Sequence, residues 1–88
     1  MTRTPETTFF PQKLEEALLQ NNQLTQIPDD INLLTHLREL YLGDNRLKKL
    51  PEMSKLKKLE ILILRGNPLP KSEIERVKRM LPNTIVSV

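Results

Sequence analysis

Leu37-Arg38-Glu39-Leu40-Tyr41-Leu42-Gly43-Asp44-Asn45-Arg46-Leu47-Lys48-Lys49-Leu50-Pro51 is the stretch that decides the fold of this 88-residue chain. At its centre, Leu40-Tyr41-Leu42 alternates, and strand geometry sends Leu40 and Leu42 to one face and Tyr41 to the other. The same frame recurs upstream as Leu14, Ala17, Leu19, Asn22, Leu24, Ile27 and Pro28. Downstream it runs Leu59, Leu62, Leu64, Asn67 and Leu69 before it breaks away. The asparagines are spaced by 23 and then 22 residues, a period that marks a stacked repeat architecture.

Between copies lie apolar residues at helical spacing, Ile31 and Leu34 after the first and Met53 and Leu56 after the second. Ile31, Leu34 and Leu37 at i, i+3 and i+6 predict a short helical or 3₁₀ return. Pro28 and Pro51 forbid the strand from continuing into it. The inward leucines of one copy can be buried only against those of the next, so the strands stack in parallel.

Written as LxxLxLxxNxLxxLP plus a short return, the frame resembles the leucine-rich-repeat family, strictly over residues 14–69 and loosely over 9–88. The copies are most similar to the short 22–23-residue repeats of the intracellular and bacterial type. That resemblance implies an α/β fold: a right-handed solenoid with a parallel concave sheet of three to four strands, short helical returns and a C-terminal capping helix. It also implies that each frame asparagine buries its amide at the turn and bonds neighbouring backbone, since a buried amide must find partners.

A solenoid has to cover its terminal layers. Residues 1–13 are expected to form an N-terminal extension and cap, with Phe9 and Phe10 plugging the first layer that Ala17 narrows. Residues 14–69 hold three repeats and 70–88 the C-terminal cap. There, Ser72-Glu73-Ile74-Glu75 has the spacing of a capping box with Ser72 as N-cap. The helix it opens places Ile74, Val77 and Leu81 on one side and ends at Pro82, and Thr84–Val88 is β-rich where a fourth strand would fall.

Composition restricts the chemistry. Only Phe9, Phe10 and Tyr41 are aromatic, and there is no cysteine, which excludes disulfides and thiolate metal sites. The lone His36 has no second histidine or nucleophile at a useful spacing and is read as a solvated surface residue. Gly43 and Gly66 open no phosphate-cradling loop, and Asp29-Asp30 suit the start of the return helix. No enzyme activity and no cofactor or metal are expected. No segment approaches 18 apolar residues, so no membrane span is expected. Met1–Glu6 lacks the apolar run of a signal peptide, which points to the cytoplasm.

The net charge of +3 is unevenly spread: residues 1–44 hold three basic against seven acidic side chains, residues 45–88 eleven against four. The basic run Arg46–Lys58 contains no aromatic for base stacking and is interrupted by Glu52, so nucleic-acid binding is the weaker reading and a solvated face the stronger. Family resemblance puts partner docking on the outward strand positions. The frame assigns these as Leu18, Tyr41 and Ile63, preceded by Glu16, Glu39 and Ile61 and followed by Gln20, Gly43 and Arg65. The expected partner-binding set is Glu16, Leu18, Glu39, Tyr41, Ile61, Ile63 and Arg65, with Tyr41 at its centre. Two partners remain open: an unrelated protein on the concave face, or a second copy in a homo-oligomer drawn by the charge asymmetry. Cross-strand packing alone is the competing account of the apolar column.

Overall fold

The computed structural model describes residues 14–88. The expected Phe9–Phe10 plug and the rest of the N-terminal cap lie outside them. Strand β1 (Glu16–Leu18) is followed by a 3₁₀ helix (Asp29–Leu33), β2 (Glu39–Tyr41), β3 (Ile61–Ile63), helix α1 (Lys71–Met80) and β4 (Ile85–Ser87). The four strands form one parallel sheet in the order β1-β2-β3-β4. The middle residues Ala17, Leu40, Leu62 and Val86 fall in one inward row.

Packing follows the frame. Leu37, Leu40, Leu42, Leu47, Leu50, Met53, Leu56, Leu59, Leu62 and Leu64 are all buried, as are Ile27, Ile31 and Leu34 of the preceding layer. Val77 and Leu81 of the C-terminal cap close the stack, with Ile74 half-buried beside them. Each leucine so enclosed contributes about 1.5–3 kcal/mol relative to exposure. Isoleucine, leucine and methionine thus do what aromatic residues do in a less regular core.

The two returns differ, because the second is one residue shorter. In the first, Ile31 N–H donates to Pro28 O, Leu34 to Ile31 O and Leu37 to Leu34 O, at 3.0–3.1 Å. These i→i+3 bonds give the expected 3₁₀ helix, with Asp29 and Asp30 in its first turn. In the second, Leu56 N–H donates to Met53 O and Leu59 to Leu56 O, but no helix forms. Met53 stands two residues after Pro51, where Ile31 stands three after Pro28, and so cannot reach its proline's carbonyl. Its N–H donates instead to Met80 Sδ of α1 at 3.2 Å.

Asparagines join the layers at the turns. Asn45 Oδ1 accepts from the N–H groups of Asn22 and Leu24, both at 2.9 Å, in the preceding repeat. Its Nδ2 donates to Leu19 O, Leu42 O and Gly43 O. Asn67 repeats the arrangement, accepting from Leu47 N–H and donating to Leu42 O and Leu64 O. Asn22 departs from the expectation of burial: it is exposed, and its amide bonds Leu19 O and Gln20 O of its own turn. The turns also need left-handed backbone, at Asp44 (φ 57°) and Gly66 (φ 83°). A Cβ on Gly66 would lie 2.9 Å from Asp44 N, a close approach only glycine permits.

The C-terminal cap is built differently from the capping box predicted. Helix α1 begins at Lys71 with Pro70 as N-cap and no side-chain cap, and the N–H groups of Glu73 and Ile74 donate to Pro70 O. Ser72 therefore sits inside the first turn, where its hydroxyl cannot cap. Glu73 turns to the neighbouring repeat instead: its Oε1 accepts from Leu50 N–H at 3.0 Å, while Arg76 donates to Leu50 O and to Glu73 at 2.9 Å. Thr84 Oγ1 adds a bond to Leu59 O at 2.7 Å. The backbone N–H and C=O of Leu50, in the second repeat, are thus both held by side chains of the cap.

Two expectations follow. Asn45→Ala strands two N–H donors and three carbonyls at a buried joint and should cost about 3 kcal/mol or more, whereas Asn22→Ala should cost about 1 kcal/mol or less. Urea unfolding measures both, and equal losses would contradict the joint. The second concerns pH. The Arg76 guanidinium, then the Leu50 N–H, hold the Glu73 carboxyl below its ordinary value of 4.5. That contribution is complete above the ordinary value and is lost as pH falls through the lower folded one. Stability of wild type relative to Glu73→Gln should accordingly shrink with acidification across that window, and a constant difference would exclude the clamp.

Candidate functional site: the open face of the sheet

One face of the sheet is covered by the core and the other is open. Parallel pairing aligns Glu16, Glu39, Ile61 and Ile85 in one row of outward positions, and Leu18, Tyr41, Ile63 and Ser87 in a second. Adjacent strands lie about 4.8 Å apart, so neighbours in a row are in side-chain reach. Leu18 is 58% exposed and Ile85 70%, and Tyr41, Ile61 and Ile63 are half-buried by their neighbours. The outward column that the frame assigns to Leu18, Tyr41 and Ile63 is thus one surface, with Ile61 in the adjoining row.

Sequence spacing left out Ile85. The β-rich tail was visible, but the insertion of α1 displaces its register by two residues, so only the pairing of Ile61 with Ile85 places that side chain on the face. In the third set the ladder continues, with Asn21 N–H donating to Gly43 O at 2.9 Å and Asp44 N–H to Arg65 O at 2.8 Å, but its middle member has no side chain. Gly43 is buried, and its Cα packs toward Arg65 O, which would lie 3.2 Å from an added Cβ. Gln20 and Arg65 are exposed at either side of it and stand apart. At the strand entry, Arg38 and Glu60 approach to 3.7 Å with most of both side chains exposed, a pair that contributes little to stability.

Tyr41 is the best-positioned residue on the face. Its hydroxyl donates to Glu39 Oε1 at 2.6 Å, which fixes the ring on the sheet between the acidic and aliphatic residues. The hydrogen bond to Glu39, then burial, then the charges of Glu39 and Glu16 raise the phenol above its ordinary value of 10.0. A flat, rigid ring with a held polar tip is a good anchor for a partner.

Other features offer less. His36 is half-buried with its Nδ1 enclosed and unpartnered among the described residues, which corrects its reading as a solvated surface residue. Among the described residues, no group of three His, Asp or Glu side chains could hold a metal. No helix among them is long and apolar enough to cross a membrane. A depression of about 240 Å³ is lined by Gln26, Ile27, Asp29, Lys49, Leu50 and Pro51, none of which belongs to the sheet face.

Tyr41 is the only tyrosine and there is no tryptophan, so absorbance in alkali reports this one phenol. It should ionise at higher pH than free tyrosine, and Glu39→Gln should lower its pKa. A free-tyrosine titration in the wild type would mean that the hydroxyl is not held by Glu39.

Comparison with known proteins agrees with this architecture. A family model described as "Leucine rich repeat" matches residues 12–69. The chain is 39% identical to mouse (Mus musculus) Podocan-like protein 1 in an 81-residue alignment that covers 86% of the chain and 14% of that protein. It is 43% identical over 60 residues to a probable LRR receptor-like serine/threonine-protein kinase of Arabidopsis thaliana, covering 67% of the chain and 6% of the kinase. An LRR protein of Leptospira interrogans superposes with a TM-score of 0.84 at 36% identity, over 92% of this chain and 22% of the other. The chain therefore spans a small part of each of these proteins. Frame, sheet and relatives agree that it belongs to the leucine-rich-repeat family.

Proposed function

We propose that the chain is a non-catalytic protein-binding module that engages its partner through the concave face of the sheet. A single observation carries the reading: in-register pairing joins Leu18, Tyr41, Ile61, Ile63 and Ile85 into one outward, largely aliphatic surface with acidic residues beside it. Singly exposed apolar residues are common on any protein, but a contiguous set bordered by charge is the signature of an interaction surface. None of these side chains is part of the enclosed core, which the inward leucines complete without them. Function as a scaffold, joining two proteins, would need a second surface as well.

A second reading, self-association, draws on the segregated charge, with a strongly basic C-terminal half and an acidic N-terminal half. Head-to-tail contact between them would build rings or filaments.

The two readings separate in one experiment that combines affinity capture with sedimentation, on wild type, Tyr41→Ala, Ile63→Lys and, as a control on the outer side, Lys57→Glu. For a concave binding module, captured protein is lost with Tyr41→Ala and Ile63→Lys, is kept with Lys57→Glu, and the free chain stays monomeric. Mass above the monomer that falls with added salt would favour self-association, since exposed charges are screened. Capture unaffected by both face substitutions would refute the concave reading.

A further inference from the structure

The open face is chemically graded. From β1 to β4 the first row runs Glu16, Glu39, Ile61, Ile85, and the second runs Leu18, Tyr41, Ile63, Ser87. Both carboxylates therefore lie on the first two strands and all three isoleucines on the last two. At about 4.8 Å per strand, the two groups are centred about 10 Å apart.

The acidic end has the features of a place for a cation. Glu16 and Glu39 face each other across adjacent parallel strands, and like charges in that relation repel. Among the described residues neither carboxylate has a cationic partner, the ion pairs being Arg38–Glu60 and Arg76–Glu73. Tyr41 occupies one Glu39 oxygen, Oε1, and by that bond holds its ring beside both carboxylates. An aromatic face next to negative charge attracts a lysine or arginine head group on two counts. The aliphatic end holds no carboxylate in either row, exposed Arg65 follows two residues after Ile63, and the end's most exposed member is Ile85.

We propose that the occupant of this face is a polypeptide segment with one lysine or arginine and, about 10 Å along it, one or more aliphatic side chains. Glu16, Glu39 and the Tyr41 ring hold the cation, and Ile61, Ile63 and Ile85 hold the aliphatic part. The separation corresponds to about three residues of an extended segment or about seven of a helix. The segment lies across the strands, in the direction of the charge gradient, and its polarity is set by which end of the face takes the cation. This inference rests on the concave-face reading and gives the partner a chemistry.

Selection of a random twelve-residue peptide library against the immobilised chain tests it, with the selected peptides then synthesised and their affinities measured. Wild type should enrich peptides with a basic residue three to seven positions from an aliphatic one. Those peptides should bind Glu16→Lys/Glu39→Lys about tenfold more weakly or worse, as juxtaposed like charges dictate, and Glu16→Gln/Glu39→Gln by an intermediate amount. Selection on the Lys variant should lose the basic preference. Peptides that lose affinity with Ile63→Lys but ignore both Glu variants would overturn the cation site and leave the face as a binding surface. Peptides indifferent to every face substitution would overturn both, and failure to enrich any sequence would overturn the proposed occupant. A dimer abolished by Glu16→Lys/Glu39→Lys would make a second copy the occupant instead.

Discussion

No layer of this protein can complete itself. A three-residue strand with one inward apolar side chain buries nothing alone, and the turn that follows leaves backbone donors that only the next layer can satisfy. The Asn45 amide solves both problems at one point, tying two N–H groups of the preceding repeat to three carbonyls on either side of the joint. Unmade hydrogen bonds in such a place are costly, so layers either stack in this register or do not stack at all. The parallel sheet, the position of the returns and the alignment of the outward rows all inherit that register.

The last layer is bound by other means, since no further asparagine follows Asn67 in the frame. Helix α1 reaches back over 23 to 27 residues of sequence, with Glu73 and Arg76 on the Leu50 peptide and Met80 on Met53 N–H. One shortened return creates an unpaired donor, and the adjacent cap satisfies it with a thioether. Changes in repeat length and changes in the cap are coupled through that contact, and neither is neutral by itself.

Much of this was legible in the sequence because it depends on periodicity. Alternation at Leu40-Tyr41-Leu42, the asparagine spacing and the i, i+3 returns each express a local rule, and the sheet and core followed from them. What was not legible depends on partners distant in sequence. Ser72-Glu73-Ile74-Glu75 has the spacing of a capping box, but Pro70 starts the helix two residues early and Glu73 bonds to a different repeat. Asn22 shares the frame of Asn45, yet its amide is exposed and bonds carbonyls of its own turn. Ile85 joins the open face through a register that α1 shifts, which no frame position encodes. Gly43 holds an outward slot and contributes only close packing there.

The account divides the strand residues into two sets. Inward side chains and asparagines make the fold, and the outward rows are available for binding. The alternative is that the outward rows are themselves cross-strand packing on which the sheet depends. The two are separated most directly by urea unfolding of one variant in which Glu16, Leu18, Glu39, Tyr41, Ile61 and Ile63 are all replaced by threonine, a residue suited to strands but small and polar. The division predicts a single cooperative transition with an unchanged slope and a midpoint close to wild type. Loss of cooperativity, or a midpoint reduced as far as by removal of the Asn45 amide, would show that the face is structural and contradict its assignment as a surface kept for a partner.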